Sequence, residues 1–233
     1  MIAGCRLDPE RARALRHAEI VKRSGIPQRY ARLIEVGELR PRPEIARAVA
    51  DGRTVVLWGP KGRGKTAAAC AAAYAFVDAH LKQMTDGDSI LFAADVEPAP
   101  TGAAKRYVRA RFTTSAAFVA ETRSAIGRPG ADPAEVVDRY ARCSLLVLDD
   151  LAKEASSTST WPLSQLWQLV NARYAEQRPM IVTTQYDPDS LAGALAAGSS
   201  EMLPDAGALV DRLMEDGAAI CFGGPNLRRA GPA

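Results

Sequence analysis

Apolar and polar positions along the chain follow two periods, and the switches between them outline the elements. Short, mostly apolar runs at 54–58, 143–148, 180–184 and 218–222 have the length and continuity of strands buried on both faces. Residues 107–112 alternate as a further strand. Between these runs, helical spacing predicts helices over 8–23, 43–50, 67–76, 115–126, 133–142, 161–177, 189–197 and 205–216. Asp8 as cap and Pro9 at the first helical position start the first helix, and Ser24-Gly25-Ile26-Pro27 ends it. Residues 86–105, rich in Gly, Pro, Asp and Ala, read as an extended loop or hairpin insertion with one short strand at 89–93. Strands alternating with helices predict an α/β fold, three layers around a central parallel sheet. No internal repeat is present.

The connection after the first strand carries chemistry. Gly59-Pro60-Lys61-Gly62-Arg63-Gly64-Lys65-Thr66 is a complete G-x-x-x-x-G-K-[ST] phosphate loop, with a strand before it and an Ala-rich helix after it. Its glycines let successive backbone N–H groups turn inward on phosphates. Lys65 brings a cation to the β/γ-phosphates, and the Thr66 hydroxyl is a ligand for Mg²⁺. The positive N-terminal end of the helix adds to anion binding. The pattern predicts that the chain binds a nucleoside triphosphate with Mg²⁺.

The run 143–148 ends in Asp149-Asp150, at the strand end where open α/β sheets bind ligands. Asp149 suits a Mg²⁺ contact beside Thr66, and Asp150 is placed to polarise an attacking water. The strand 180–184 ends in small polar residues, so Thr184 or Gln185 could sense the γ-phosphate or hold that water.

Composition narrows the class without changing this picture. At 47% apolar and 24% charged residues, the 233-residue chain has the make-up of an ordinary globular protein. No run of about 18 apolar residues is present to span a membrane, and the N-terminus lacks the order of a secretory signal. Four scattered cysteines (Cys5, Cys70, Cys143, Cys221) and two histidines argue against a disulfide framework or structural zinc, and fit a reducing cytoplasm. The net charge of +3 is uneven: residues 1–47 hold eleven basic and six acidic side chains, a net of +5, which leaves −2 for the rest. Residues 1–45 therefore read as a basic helical segment for contact with an acidic protein or a nucleic-acid backbone, and 46–233 as the core that carries the phosphate loop, which the resemblance below implies is an AAA+ ATPase core.

The order of the motifs resembles an AAA+ ATPase, and in detail the DnaC-type helicase loaders and related IstB transposition ATPases. Gly25-Ile26-Pro27-Gln28-Arg29-Tyr30 resembles the G-I-P-x-R-Y/F before their core, and Leu145 to Leu151 their Walker B segment. Asn171-Ala172-Arg173-Tyr174 resembles the N-x-R-Y helix end, and Pro179 to Tyr186 the sensor-1 strand. Val210-Asp211-Arg212-Leu213 resembles the arginine-finger box, and the stretch from Gly223 to Arg229 the C-terminal ending. The resemblance implies that Arg212 projects into the ATP site of a neighbouring subunit. It also implies that Arg228, or Arg229 in its place, acts as sensor 2 in cis. Departures are Asp150 where many such proteins have Glu, Gln185 where Asn is common, an atypical 86–105 insertion, a short N-terminal part, and no separate lid domain.

By the same resemblance, the chain loads a hexameric replicative helicase onto single-stranded DNA from a spiral or ring oligomer, with ATP hydrolysis gating release. The alternative is an IstB-like ATPase that regulates a transposase on duplex DNA. A small-molecule kinase and a nucleotide-binding adaptor with vestigial hydrolysis are further readings. Single-stranded DNA would meet the element after the second strand, where Arg109, Arg111, Arg123 and Arg128 form a basic track with Phe112 and Phe118 as candidate stacking groups. Phe118, at helical spacing from Thr122 and Ala125, reads as core ahead of a stacking group.

Overall fold

The structure, a computed structural model, describes residues 9–83, 109–152 and 159–227. The expected 86–105 insertion with its strand at 89–93, and Arg228 and Arg229, lie outside the described residues. Five strands, β1 (Val55–Trp58), β2 (Ala110–Thr114), β3 (Leu145–Leu151), β4 (Met180–Thr184) and β5 (Ala218–Cys221), form one sheet in the order β2-β3-β4-β1-β5. Every pairing is parallel.

Nine helices lie among the described residues. They are α1 (Pro9–Ser24), α2 (Gln28–Glu35), α3 (Pro43–Ala50), α4 (Lys65–Gln83), α5 (Ser115–Ala125), α6 (Pro133–Ala141), α7 (Trp161–Ala175), α8 (Pro188–Leu195) and α9 (Leu203–Met214). The strands alternate across the two faces. Leu145 and Val147 of β3, Val55 and Leu57 of β1 and Ile181 of β4 pack with α1, α3 and α4. Leu146, Leu148, Val56, Met180 and Val182 pack with α5 to α9. Both faces are covered, as a parallel sheet requires, and each fully buried Leu or Val contributes about 1.5–3 kcal/mol relative to exposure. The expected three-layer α/β fold is present.

Two differences from the sequence reading have plain causes. Residues 28–35 are helical: Pro27 opens α2, and Tyr30, Ala31 and Ile34 lay one apolar stripe on the core. Helix α4 runs on to Gln83 because Val77 and Leu81 continue its buried face past the Ala-rich stretch. At the N-terminal end, Ile20 of α1 and Ile26 join the same cluster. Gly25 is required there: at φ +79° an added Cβ would stand 2.9 Å from the Phe112 carbonyl oxygen.

Candidate nucleotide-binding site

The phosphate loop leaves β1 between β4 and β5 and enters α4 at Lys65. Gly59, Gly62 and Gly64 all have positive φ, which only glycine adopts without strain. At Gly59 (φ +127°) a Cβ would also lie 2.7 Å from the Phe222 carbonyl oxygen at the end of β5. Pro60 and Lys61 are exposed, and Arg63 is half-buried. Lys65 is buried, and its ammonium donates to the carbonyls of Gly59 (2.6 Å) and Pro60 (2.9 Å). The cation is thus held within the curve of the loop, where phosphate oxygens would be received.

Asp149 meets this loop from β3. Its Oδ1 accepts hydrogen bonds from Thr66 Oγ1 (2.8 Å) and from Thr183 Oγ1 of β4 (2.6 Å). The Thr183 hydroxyl in turn accepts from the Asp150 N–H at 3.0 Å. Burial pushes the Asp149 carboxyl above its ordinary pKa. The hydrogen bonds from Thr183 and Thr66 oppose that shift, the neighbouring Asp150 adds to it, and the Lys65 charge works against it. A nearly buried carboxylate with two hydroxyl donors and a cation close by is a donor set that would suit a divalent ion on a polyphosphate. The residues fit Mg²⁺ and ATP.

The strand is irregular here. The β3–β4 register shifts between Leu148 and Leu151, and Asp150 (φ 57°) and Ala152 (φ 70°) sit in the left-handed region. The Asp150 carbonyl accepts from Ser115 Oγ (2.8 Å) and the Leu151 carbonyl from Thr184 Oγ1 (3.0 Å). A bulge braced on both sides re-aims one side chain at a strand end. Asp149 thereby stays on the α4 side while the half-buried Asp150 leaves the regular pleat. Thr184 is fully buried with its hydroxyl turned to β3, and Gln185 follows, half-buried, at the end of β4.

Thr183 escaped the sequence reading, although strand parity could have found it. It is a polar residue in an apolar run, paired with Leu57 and on the same face as Ile181. The contact that ties the tail after β5 to the loop also escaped the sequence reading. The Leu227 N–H donates to the Gly62 carbonyl (2.8 Å), and the Asn226 side chain covers the spot a Gly62 Cβ would need. This places the chain beside the phosphate loop one residue before Arg228.

Arg212 does not join this cluster. It lies in the last turn of α9 and lines a cavity of about 410 Å³ together with Thr54, Met180 and Gly217. Those residues precede β1, open β4 and precede β5, so Arg212 stands at the opposite end of the parallel sheet from Gly59. It is out of reach of its own chain's phosphate loop.

Of the candidate DNA-contact residues, Arg123 and Arg128 are exposed, with Arg123 stacked over Trp161 at 5.2 Å. Arg111 lies over the Tyr140 ring (5.5 Å) with its Nε enclosed. Phe118 is fully buried, edge-on to Tyr140 at 5.4 Å, and therefore belongs to the core. Phe112 is half-buried and packs on the cluster formed with α1, α3 and α4.

No family model matches the chain, and no curated protein matches it. Solved structures do. One is DnaI, at 21% identity and TM-score 0.54 over 79% of this chain and 81% of that one. Another is the DnaC helicase loader, at 17% identity and TM-score 0.52 over 80% of this chain and 95% of that one. A third is the replication initiator DnaA bound to AMPPCP and single-stranded DNA, at 17% identity and TM-score 0.50 over 80% of this chain but 46% of that one. The chain has the P-loop AAA+ fold. In this fold the phosphate loop lies at the strand C-termini and Arg212 at the far edge of the sheet.

Proposed function

We propose that the protein is an ATPase that loads a hexameric replicative helicase onto single-stranded DNA. The observation that carries the reading is the junction of Thr66, Asp149 and Thr183, which ties the phosphate loop to the strand-end carboxylate on a fold shared with DnaI and the DnaC helicase loader. In this reading the loop N–H groups and Lys65 bind the triphosphate, while Thr66 and Asp149 hold Mg²⁺. Bound Mg²⁺ would neutralise charge on the phosphate oxygens. Asp150 polarises the attacking water, and Gln185 holds it or senses the γ-phosphate. Arg228 contacts the nucleotide in cis.

Arg212 of a second copy supplies positive charge in trans, so turnover depends on self-association. The distance of Arg212 from its own phosphate loop supports this division of labour. The basic segment 1–45 would hold the helicase, and Arg123 and Arg128 would meet the DNA backbone. The reading is tested by ATP turnover against protein concentration, with and without single-stranded DNA. Turnover per chain should rise with assembly, Lys65→Ala should lose ATP binding, and Arg212→Ala should keep binding but lose turnover. ATP affinity retained by Lys65→Ala would overturn the phosphate-loop assignment.

A further inference from the structure

Arg212 is held in a mount. Helix α7 presents Trp167, Asn171 and Tyr174 at spacings of four and three residues, so the three form one stripe facing α9. The Arg212 guanidinium lies over the Trp167 ring at 5.4 Å and the Tyr174 ring at 5.8 Å. Its Nε donates to Asn171 Oδ1 (2.8 Å) and one terminal nitrogen donates to the Ala208 carbonyl (2.9 Å). Tyr174 is itself fixed, its hydroxyl donating to Glu215 at 2.6 Å. Two aromatic faces set the plane of the guanidinium, and two hydrogen bonds set its rotation within that plane.

These contacts engage Nε and one terminal nitrogen. The cavity that Arg212 lines also carries Arg53 and Arg178, against Asp51 and Asp216, so it favours an anion. Arg53 is anchored there by the carbonyls of Asp216 (3.0 Å) and Gly217 (3.2 Å).

We propose that Asn171 is a positioning residue, and that the Trp167–Asn171–Tyr174 stripe of α7 presets Arg212 to meet a phosphoryl group entering this cavity. The inference rests on the reading that Arg212 acts on a second copy's nucleotide. An arginine free to rotate would lose side-chain freedom on meeting the phosphate, whereas a mounted one has lost it on folding. Asn171 therefore acts on turnover and not on ATP binding.

The test compares Asn171→Leu, which removes the acceptor at equal size, with Asn171→Asp, which keeps it. Each full-length variant is assayed for ATP turnover at saturating assembly, for affinity towards a fluorescent ATP analogue, and for assembly by ultracentrifugation. Misplacing a reacting group by about 1 Å costs on the order of 100-fold. Asn171→Leu should thus lower kcat by about 10- to 100-fold with KM, nucleotide affinity and assembly unchanged, and Asn171→Asp should stay within about 3-fold of the parent. Parental kcat in Asn171→Leu, or an Asn171→Asp variant as slow as Asn171→Leu, overturns the inference. Arg212→Ala separates the two levels. If its assembled form turns over like the parent, the trans reading fails. If it is slow while Asn171→Leu is not, only the mount fails.

Discussion

Arg173 offers the sharpest test of how the far edge of the sheet is built. Its side chain is fully buried, and no carboxylate contacts it among the described residues. One terminal nitrogen donates to the carbonyls of Tyr140, Ala141 and Cys143, each at 2.9 Å, and the other to the Pro179 carbonyl at 2.6 Å. The guanidinium thus ties α7 to the end of α6, the approach to β3 and the approach to β4. Burial lowers its pKa, since carbonyl dipoles replace water only in part. Arg173→Met keeps most of the volume but removes the guanidinium donor from four carbonyls, of which that of Tyr140 keeps only the weak Cys143 thiol. A hydrogen bond from a charged donor contributes about 1.5–3 kcal/mol, and part is regained by dropping the desolvated charge. The expected net loss is about 4 kcal/mol, and at about 2–4 °C per kcal/mol for a chain of this size Tm should fall by about 8–16 °C. Urea and thermal unfolding of the nucleotide-free protein provide the measurement. A loss below about 1 kcal/mol would refute the claim that the carbonyls of Ala141, Cys143 and Pro179 depend on Arg173.

Three further outcomes follow from the geometry. Thr183→Val removes one donor to Asp149 and the acceptor of the Asp150 N–H, so ATP turnover should drop by at least about 10-fold in a steady-state assay while the protein remains folded. Because the Asp149 pKa is raised, the folded protein holds this proton more tightly than the unfolded chain. Its stabilising contribution is complete below the ordinary carboxylate pKa and is lost as pH rises through the raised value. Asp149→Asn should flatten this dependence in urea titrations across pH, and should stabilise the nucleotide-free protein at neutral pH by on the order of 1 kcal/mol while abolishing hydrolysis. Gln177, at φ 49°, closes α7 with its N–H on the Tyr174 carbonyl (3.0 Å) and that of Arg178 on the Arg173 carbonyl (2.9 Å). Gln177→Gly should therefore stabilise the fold by about 0.5–1 kcal/mol in thermal unfolding.

The layers of the fold were legible because a parallel sheet covered on both faces leaves long apolar strands, as at 143–148 and 180–184. The phosphate loop was legible because its glycines occupy φ values that no other residue shares without strain. Helix α2 was not, since it is only eight residues long and its stability comes from packing on α4. Thr183 was hidden because a hydroxyl inside an apolar run reads as strand-end chemistry until the neighbouring strand supplies Asp149. Asn171 and Arg212 are 41 residues apart, and no local period links them; only the packing of α7 on α9 does. The bulge at Asp149-Asp150 left no mark in the sequence, because it depends on hydroxyls from two other elements, Ser115 and Thr184.

The central claim is that ATP at the phosphate loop controls the grip on a hexameric replicative helicase. Native mass spectrometry of the protein with the replicative helicase of its host, with and without a non-hydrolysable ATP analogue, tests it most directly. The account predicts a complex that holds with the analogue, is weakened when the exposed Lys22 and Arg32 are replaced by Glu, and dissociates when hydrolysable ATP is supplied. A helicase hexamer that remains free of this chain under every nucleotide condition, while a transposase is bound instead, would contradict it.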